Sequence, residues 1–331
     1  MIVNFLKGTF KGNLYRLFVC VPFMKPIFIY SSRRGGSTIL AQSLASMGAC
    51  RYIDQPFTYH LFPNHKSGKV RQAFIPKRRY RSIISMNDEE YSRLLKYLKK
   101  FLRGGFAFFD NKYLYYLHKG GQSFRSIFAC FFTNRVIFKI ADGLALIDLM
   151  TEQFKPVNIY LLRHPCAQAL SVVKNQWGLT SKSYLEDELF TKKLSPAQLS
   201  LANEIMEGKN PFHKAVINWF LENFILLRTK MPYLMVHYEY LISDTYNQLT
   251  RIKNYTHSPG SLEKGLQVFK QPSYSSSMST NESKEAIQMS KVDYLLSKWM
   301  EEVDTGDPVL HKIFEVFESR YYTPVAFMPV E

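Results

Sequence analysis

Hydrophobic and polar positions divide the chain into two kinds of segment. Short, continuous apolar runs rich in β-branched and aromatic residues predict buried strands at residues 26–30, 106–110, 135–140, 157–163 and 233–238. Between them, apolar residues recur every three or four positions, which predicts helices at about 37–47, 88–102, 144–154, after Pro165 and at 211–228. Continuous apolar strands that alternate with helices indicate a parallel sheet covered on both faces. We therefore predict an α/β fold in three layers, with a central, mostly parallel sheet.

Polar residues and glycines predict where some of these elements begin and end. Gly48 is expected to end the first helix, and Asp88 to be the N-cap of the next one, which Gly104 and Gly105 would end. Residues 51–85 are basic and aromatic without a clear period, which indicates a loop, either simply solvated or closing over a substrate. The last third is predicted to be helical apart from a Ser-rich loop. No repeat or domain boundary is visible, so one domain is expected over residues 1–331.

Composition narrows the class of protein. A hydrophobic fraction of 46% is ample for a packed core. The 43 Lys and Arg against 27 Asp and Glu give a net charge of +16, which attracts nucleic acid, anionic lipid or a ligand with several phosphates. The four cysteines form no CxxC or Cys/His cluster, which argues against a disulfide framework or a zinc site. The apolar run at 17–24 is shorter than the roughly 20 residues of a membrane span, so we expect no anchor and a cytoplasmic location.

The first predicted strand runs into a glycine turn, SSRRGGST, that favours an anion. Gly35 and Gly36 let the backbone approach a ligand, and the amides up to Ser37 and Thr38 would face it at the positive end of a helix. Arg34 adds a guanidinium suited to phosphate oxygens. The lysine of a Walker A loop is absent, which disfavours a nucleoside triphosphatase. A plain glycine turn with a Ser/Thr helix cap would have the same pattern.

A second anion site is predicted at the end of the strand in VNIYLLRHPCAQALS. Arg163 stands at the carboxyl end of this strand, and Pro165 suits the first turn of the helix that follows. Ser171 lies eight residues after Arg163, about two helical turns along. Ligands of open α/β sheets bind at the carboxyl ends of the strands. Arg163 and Ser171 are therefore expected to bind an anion close to the first turn.

Four segments together resemble one family. SSRRGGSTILAQSL and IYLLRHPCAQALS resemble the 5′-phosphosulfate and 3′-phosphate motifs of the sulfotransferases that use 3′-phosphoadenylyl sulfate (PAPS). RVIFKIADGLALIDLMTEQF resembles the unit before the 3′-phosphate strand, and YLMVHYEYLISDTYNQLTRI resembles the family's YEDL segment. The motifs keep the family's order over residues 26–258, with 259–331 as a helical C-terminal part. The pattern is closer to bacterial and carbohydrate-directed members than to cytosolic aryl or steroid ones.

The resemblance implies a P-loop-like fold and a metal-independent transfer of a sulfuryl group from PAPS to a hydroxyl or amine. It places Arg34 at the leaving phosphate oxygen, and it implies a cradle for the 5′-phosphosulfate made of Gly35, Gly36, Ser37 and Thr38. It assigns Arg163 and Ser171 to the 3′-phosphate. Tyr238 matches a tyrosine beside the adenine, although a buried core tyrosine is an equally good interpretation. Arg33 has no counterpart in the family.

The general base is not where the family usually has it. Ala141 stands in place of the histidine of the cytosolic KTH motif, and Gln55 in place of the glutamate of the carbohydrate-directed EP motif. Asp54, Asp142 and His60 remain as candidates, with Asp54 preferred and Asp142 second. Each has a structural alternative, as a turn residue, a helix N-cap and a surface aromatic respectively.

Two other functions agree with the same residues. Because the base is displaced, a noncatalytic nucleotide-binding member of the fold is an alternative. The net charge and the KRRYR run at 77–81 also suit a nucleic-acid binder, although no nucleic-acid-binding module is recognisable, so we expect no nucleic-acid partner. The basic, aromatic stretch at 57–81 favours an extended acidic or glycan-like acceptor, and a solvated loop would have the same composition.

Overall fold

A parallel sheet forms the centre of the protein, and the residues that the structure describes contribute five strands to it. The structure, a computed structural model, describes residues 22–48, 50–54, 56, 87–102, 134–141, 143–270, 285–286, 289 and 291–330. The strands are β1 (Ile27–Tyr30), β2 (Cys50–Asp54), β3 (Arg135–Ile140), β4 (Val157–Leu162) and β5 (Leu234–His237). Their order in the sheet is β2-β3-β1-β4-β5, and each pairing is parallel. The predicted α/β fold with a parallel central sheet is confirmed.

Helices cover both faces of this sheet. In chain order they are α1 (Ser37–Met47), α2 (Asp88–Leu102), α3 (Ile147–Phe154), α4 (Pro165–Lys174), α5 (Ser181–Leu185), α6 (Glu188–Thr191), α7 (Pro196–Glu207), α8 (Pro211–Asn223), α9 (Tyr238–Ser243), α10 (Thr245–Thr256), α11 (Leu262–Phe269), α12 (Val292–Ser297) and α13 (Pro308–Val316). Short 3-10 turns at Leu144–Leu146 and Lys298–Glu301 precede α3 and follow α12. Among the described helices, none combines the length and apolarity that crossing a membrane requires.

Each face of the sheet has its own hydrophobic core. Successive side chains of a strand point to opposite faces, so β1 contributes Phe28 and Tyr30 to one core and Ile27 and Ile29 to the other. The first core is completed by residues of α4, α7, α8 and α13, and the second by residues of α1 and α10. Burial on both faces explains why the strands read as continuous apolar runs.

Several element boundaries differ from the prediction. Residues 51–54, predicted to be loop, belong to strand β2, which within the described residues lies at the edge of the sheet and pairs with β3. Strand β5 ends at His237, so Tyr238, predicted to close the strand, is the first residue of α9. Helix α8 ends at Asn223, and residues 224–228 form turns. The predicted strand at 106–110 and the Ser-rich loop at 273–283 lie outside the described residues.

The start of α2 differs by one residue from the prediction. The side-chain oxygen of Asn87 accepts a hydrogen bond from the backbone N–H of Glu90 at 2.9 Å, and Glu90 Oε2 accepts one from the N–H of Asn87 at 3.4 Å. This reciprocal pair is a capping box. The N-cap is therefore Asn87, and Asp88 is the first residue inside the helix.

Candidate functional site

The loops that follow β1 and β4 meet at the carboxyl edge of the sheet. The two strands are adjacent and run in register from the pair Ile27 and Val157 to the pair Tyr30 and Tyr160. The loop after β1 leads into α1, and the connection after β4 consists only of the two residues that precede α4. The two segments predicted to bind anions are therefore neighbours, as the position of ligand sites in parallel sheets leads one to expect.

The loop after β1 needs glycine at two positions, for different reasons. Gly36 has φ +91°, and a Cβ added there would lie 2.3 Å from Cδ2 of Tyr238. A Cβ added at Gly35 would lie 2.9 Å from the carbonyl oxygen of Ser32, whose carbonyl accepts a hydrogen bond from the N–H of Gly35. Arg34 itself adopts a left-handed conformation, with φ 67°, which is uncommon for a residue with a side chain.

Helix α1 begins directly after this loop without a side-chain cap. Its N-cap is the left-handed Gly36, which has no side chain to accept a hydrogen bond from the first turn. Ser37 and Thr38, the first two helical residues, are buried. An uncapped helix start presents backbone N–H groups and the positive end of the helix dipole, and both favour an anion.

The side chains predicted for two separate phosphates contact one another. Arg34 Nε donates a hydrogen bond to Ser171 Oγ at 3.0 Å. Arg163 Nη1 donates to the carbonyl oxygen of Arg34 at 2.9 Å. The guanidinium of Arg163 also lies 4.6 Å from the centre of the Tyr238 ring, which packs against Gly36. The structure thus brings together residues that are far apart in the chain and were predicted from separate motifs.

Electrostatics at this point favour a negatively charged ligand. Burial lowers the pKa of Arg34, the neighbouring charge of Arg163 lowers it further, and Tyr238 opposes the shift. The two positive charges repel each other, and an anion bound near both would offset this repulsion. In the part of the chain that the structure describes, Arg163 forms no ion pair with a carboxylate.

The backbone around Arg163 is held on both sides. Trp219 Nε1 donates to the carbonyl oxygen of Arg163 at 3.1 Å. The next backbone N–H, that of His164, donates to Oε1 of the buried Glu239 at 2.8 Å. Oε2 of the same carboxyl group accepts a hydrogen bond from the Tyr322 hydroxyl at 2.7 Å. These hydrogen bonds fix the turn between β4 and α4 from which the Arg163 side chain extends.

His164 is a structural residue within this turn. Its ring is fully buried, stacks on Trp299 with ring centres 4.4 Å apart, and accepts a hydrogen bond at Nδ1 from the N–H of Cys166. Nε2 lies 3.0 Å from the carbonyl oxygen of Thr323. Burial lowers the pKa of His164 to about 3, so the ring is neutral at physiological pH and donates from Nε2.

A second hydrogen-bond network holds the loop after β1 through Ser32. The Ser32 hydroxyl accepts hydrogen bonds from Gln168 Nε2 at 2.6 Å and from Asn223 Nδ2 at 3.3 Å. Asn223 Oδ1 in turn accepts one from the Tyr160 hydroxyl at 2.9 Å. The loop is thereby fixed to α4, α8 and β4.

Arg33 has different surroundings from Arg34. It is 8% exposed and lies 5.6 Å from the centre of the Trp177 ring. It lines a small recess together with Asn218 and Glu222 of α8. These contacts give Arg33, for which the sequence offered no role, a place in the packing between the loop and α8.

The candidate bases are less well defined. Asp54 is the last residue of β2, and the backbone register pairs it with the buried Lys139 of β3, close to the carboxyl edge. The side chain of Asp54 lies outside the described part of the structure, as do Asp142 and His60. The choice among these three residues therefore stays a prediction.

Sequence reasoning missed the residues that support the site. Glu239 follows Tyr238 in the YEYL segment, so its place in a motif was a signal that could have identified it. Tyr322 and Trp219 lie in segments without a motif, and only their hydrogen bonds to Glu239 and Arg163 reveal them. Among the described residues, no three His, Cys, Asp or Glu side chains come together as metal ligands would.

Comparison with known proteins gives matches among solved structures. No family model matches the chain, and no curated protein matches its sequence. The sulfotransferase domain of the olefin synthase from Synechococcus PCC 7002 is 18% identical over 91% of this chain and 97% of that one, with a TM-score of 0.44. The sulfotransferase domain from the curacin biosynthetic pathway is 15% identical over 90% and 97% of the two chains, with a TM-score of 0.45. A sulfotransferase from Mycobacterium avium is 13% identical over 86% and 78%, with a TM-score of 0.36.

Proposed function

We propose that this protein is a sulfotransferase that moves a sulfuryl group from PAPS to a hydroxyl or amine of an acceptor. One observation carries the proposal: Arg34 and Arg163 meet, together with Ser171, at the ends of two adjacent parallel strands. These are the residues that the resemblance assigns to the 5′-phosphosulfate and the 3′-phosphate of one nucleotide. A ligand with two anionic groups on one ribose has the charge to occupy two adjacent guanidinium groups.

The chemistry of the residues suits such a ligand. A guanidinium presents several N–H donors in one plane, which matches the oxygens of a phosphate group. The uncapped start of α1 adds backbone N–H donors beside Arg34. In this proposal Arg163 and Ser171 bind the 3′-phosphate, and the loop from Arg34 to Thr38 binds the 5′-phosphosulfate. The ring of Tyr238 lies against both halves, which agrees with a place beside the nucleotide.

In the reaction that we propose, the acceptor oxygen or nitrogen forms a bond to sulfur while the bond between sulfur and the bridging phosphate oxygen breaks. Negative charge then grows on the leaving phosphate, where Arg34 stabilises it. The acceptor must lose a proton to a base, and Asp54 is our first candidate, with Asp142 second. A glycan-like acceptor agrees with the basic composition of residues 57–81.

Calorimetric titration with 3′-phosphoadenosine 5′-phosphate, the nucleotide product, tests this proposal. We expect the wild-type protein to bind it, and Arg34→Ala and Arg163→Ala each to weaken binding at least about tenfold, which is about 1.4 kcal/mol. Lys182→Ala is the control for the loss of one positive charge, because the exposed Lys182 side chain on α5 pairs with Glu186. It should change the affinity less than about twofold. A wild-type protein that does not bind the nucleotide would overturn the proposal.

Transfer of label from PAPS separates an enzyme from a noncatalytic nucleotide-binding protein. Hydroxyl, amine and glycan acceptors should be screened with labelled donor. A labelled product that is lost in Arg34→Ala supports the enzymatic proposal, whereas nucleotide binding without transfer to any acceptor contradicts it and favours the noncatalytic alternative.

Binding to an unrelated DNA oligonucleotide tests the third function. The net charge of +16 attracts any polyanion whatever its sequence. We therefore expect the affinity for the oligonucleotide to fall steeply between low and physiological salt. Tight, sequence-dependent binding at physiological salt would instead support a nucleic-acid function.

A further inference from the structure

A buried carboxyl group joins the turn after β4 to the C-terminal segment of the chain. Glu239 is 2% exposed, and each of its oxygens accepts a hydrogen bond, Oε1 from the N–H of His164 and Oε2 from the hydroxyl of Tyr322. Burial raises the pKa of Glu239, and the two hydrogen bonds and the charge of Arg163 oppose this. Burying a carboxyl group costs free energy unless hydrogen bonds compensate for it, and here each oxygen of Glu239 has a donor.

Glu239 lies next to a residue that contacts Arg163 directly. The ring of Tyr238 lies under the Arg163 guanidinium at 4.6 Å, while Glu239 holds the peptide group that follows Arg163. One dipeptide therefore contacts both the charged end of Arg163 and the backbone from which it extends. Trp219 holds the carbonyl oxygen of the same residue at 3.1 Å.

Tyr322 orients this carboxyl group. It is 1% exposed, and its hydroxyl lies 2.7 Å from Glu239 Oε2 and 3.0 Å from His237 Nδ1. A carboxylate only accepts hydrogen bonds, so the Tyr322 hydroxyl donates to Glu239 and accepts from His237. The next residue, Thr323, accepts a hydrogen bond at its carbonyl oxygen from His164 Nε2. Two consecutive C-terminal residues thus hold the turn after β4 through Glu239 and His164.

We infer that Glu239 and Tyr322 are positioning residues for Arg163, and that Tyr322 and Thr323 therefore support the site for the 3′-phosphate from outside it. This inference rests on the proposed function for its ligand. The Tyr322 hydroxyl makes its hydrogen bonds to Glu239 and His237. Tyr322 acts through the carboxyl group of Glu239 and the backbone of His164, and it thereby determines the position of the Arg163 guanidinium.

The test uses the full chain and two nucleotides that differ by one phosphate. Tyr322→Phe removes only the hydroxyl. Glu239 Oε2 then loses this donor, and the carboxyl group can turn away from the N–H of His164. We expect the affinity for 3′-phosphoadenosine 5′-phosphate to fall about fivefold or more. The affinity for adenosine 5′-phosphate, which lacks the 3′-phosphate, should change less than about twofold, because only the Arg163 side of the site is disturbed.

Two further variants separate positioning from a general loss of structure. Tyr321→Phe removes the same group from the neighbouring residue, which packs on His237, and should leave both affinities as in the wild type. Glu239→Gln keeps an acceptor for the His164 N–H and a donor for the Tyr322 oxygen, so it should retain more of the affinity than Glu239→Ala. An equal loss for both nucleotides in Tyr322→Phe, or no loss, would overturn the inference.

A measurement without ligand distinguishes failure of this inference from failure of the proposed function. Hydrogen exchange of the peptide that contains the His164 amide should be faster in Tyr322→Phe than in the wild type, and unchanged in Tyr321→Phe. If exchange is faster in Tyr322→Phe but the wild-type protein binds neither nucleotide, the result contradicts the proposed function and leaves the positioning role of Tyr322 intact. Unchanged exchange in Tyr322→Phe would contradict the inference whatever the protein binds.

Discussion

At the scale of single residues, Gly36 has the most constrained position in the site. Its φ of +91° and the short distance from an added Cβ to the Tyr238 ring both exclude a side chain. We expect Gly36→Ala to lower the free energy of unfolding by about 1–3 kcal/mol and to abolish nucleotide binding, because the loop or the ring must move. Urea unfolding and calorimetric titration measure the two effects.

Gly178→Ala is the control for this change. An added Cβ there meets nothing within 4 Å, so we expect the free energy of unfolding to stay within about 0.5 kcal/mol of the wild type. If Gly36→Ala lowered the free energy of unfolding as little as Gly178→Ala does, this would contradict the tight contact between the loop and Tyr238.

The sequence could predict those residues of the candidate site that lie close together in the chain, in the turn after a strand or on the helix that follows it. Arg34 and Gly36 lie in the turn after β1, and Arg163 lies in the turn after β4, with Ser171 on the helix that follows, so local spacing is enough to find them. Tyr322 is 83 positions from the carboxyl group it binds, and no local pattern joins the two. Contacts of this kind depend on how the last segment packs, which periodicity does not encode.

At the scale of elements, the capping of α2 gives a prediction that separates two adjacent residues. Asn87→Ala should lower the free energy of unfolding by about 1 kcal/mol, because it leaves the N–H of Glu90 without its acceptor. Asp88→Ala should cost less, since Asp88 is exposed and contributes only through the helix dipole. Urea unfolding of both variants makes the comparison, and the reverse order would restore Asp88 as the N-cap.

Strands β3 and β4 were predictable because both faces are buried and their sequences, RVIFKI and VNIYLL, are mostly apolar. Strand β2 was missed because it has the mixed sequence CRYID and, among the described strands, lies at the edge of the sheet and pairs on one side. The predicted end of α8 was too late for a different reason. Phe224 and Leu226 lie in turns and yet are buried, so the apolar pattern continues past the end of the helix.

At the scale of the whole molecule, one core joins the beginning and the end of the described chain. The larger hydrophobic core contains Phe28 of β1, the C-terminal helix α13 and Tyr322. One domain over residues 1–331 stays a prediction. A sequence predicts the strands that enter the core, but it does not show that residues after 308 complete it.

Global stability should depend on pH through His164. Its pKa of about 3 lies below the ordinary value of 6.5, so the unfolded chain binds a proton that the folded protein does not. The stabilisation is complete above pH 6.5 and is lost as the pH falls toward 3. We expect urea unfolding to show that His164→Asn reduces the slope of stability against pH by about 1 kcal/mol per unit near pH 5. Equal slopes in the two proteins would mean that His164 titrates in the folded state.

The hydrogen bond from Arg163 to the carbonyl oxygen of Arg34 links the two halves of the site through the loop itself. A ligand group that draws the Arg163 guanidinium also acts on the peptide group after the left-handed Arg34. In the proposed function, binding at one half is therefore expected to change the free energy of binding at the other, and such a coupling is reciprocal. The phosphate that takes no part in the transfer would then act as an allosteric effector within its own molecule, preparing the loop for the group that reacts.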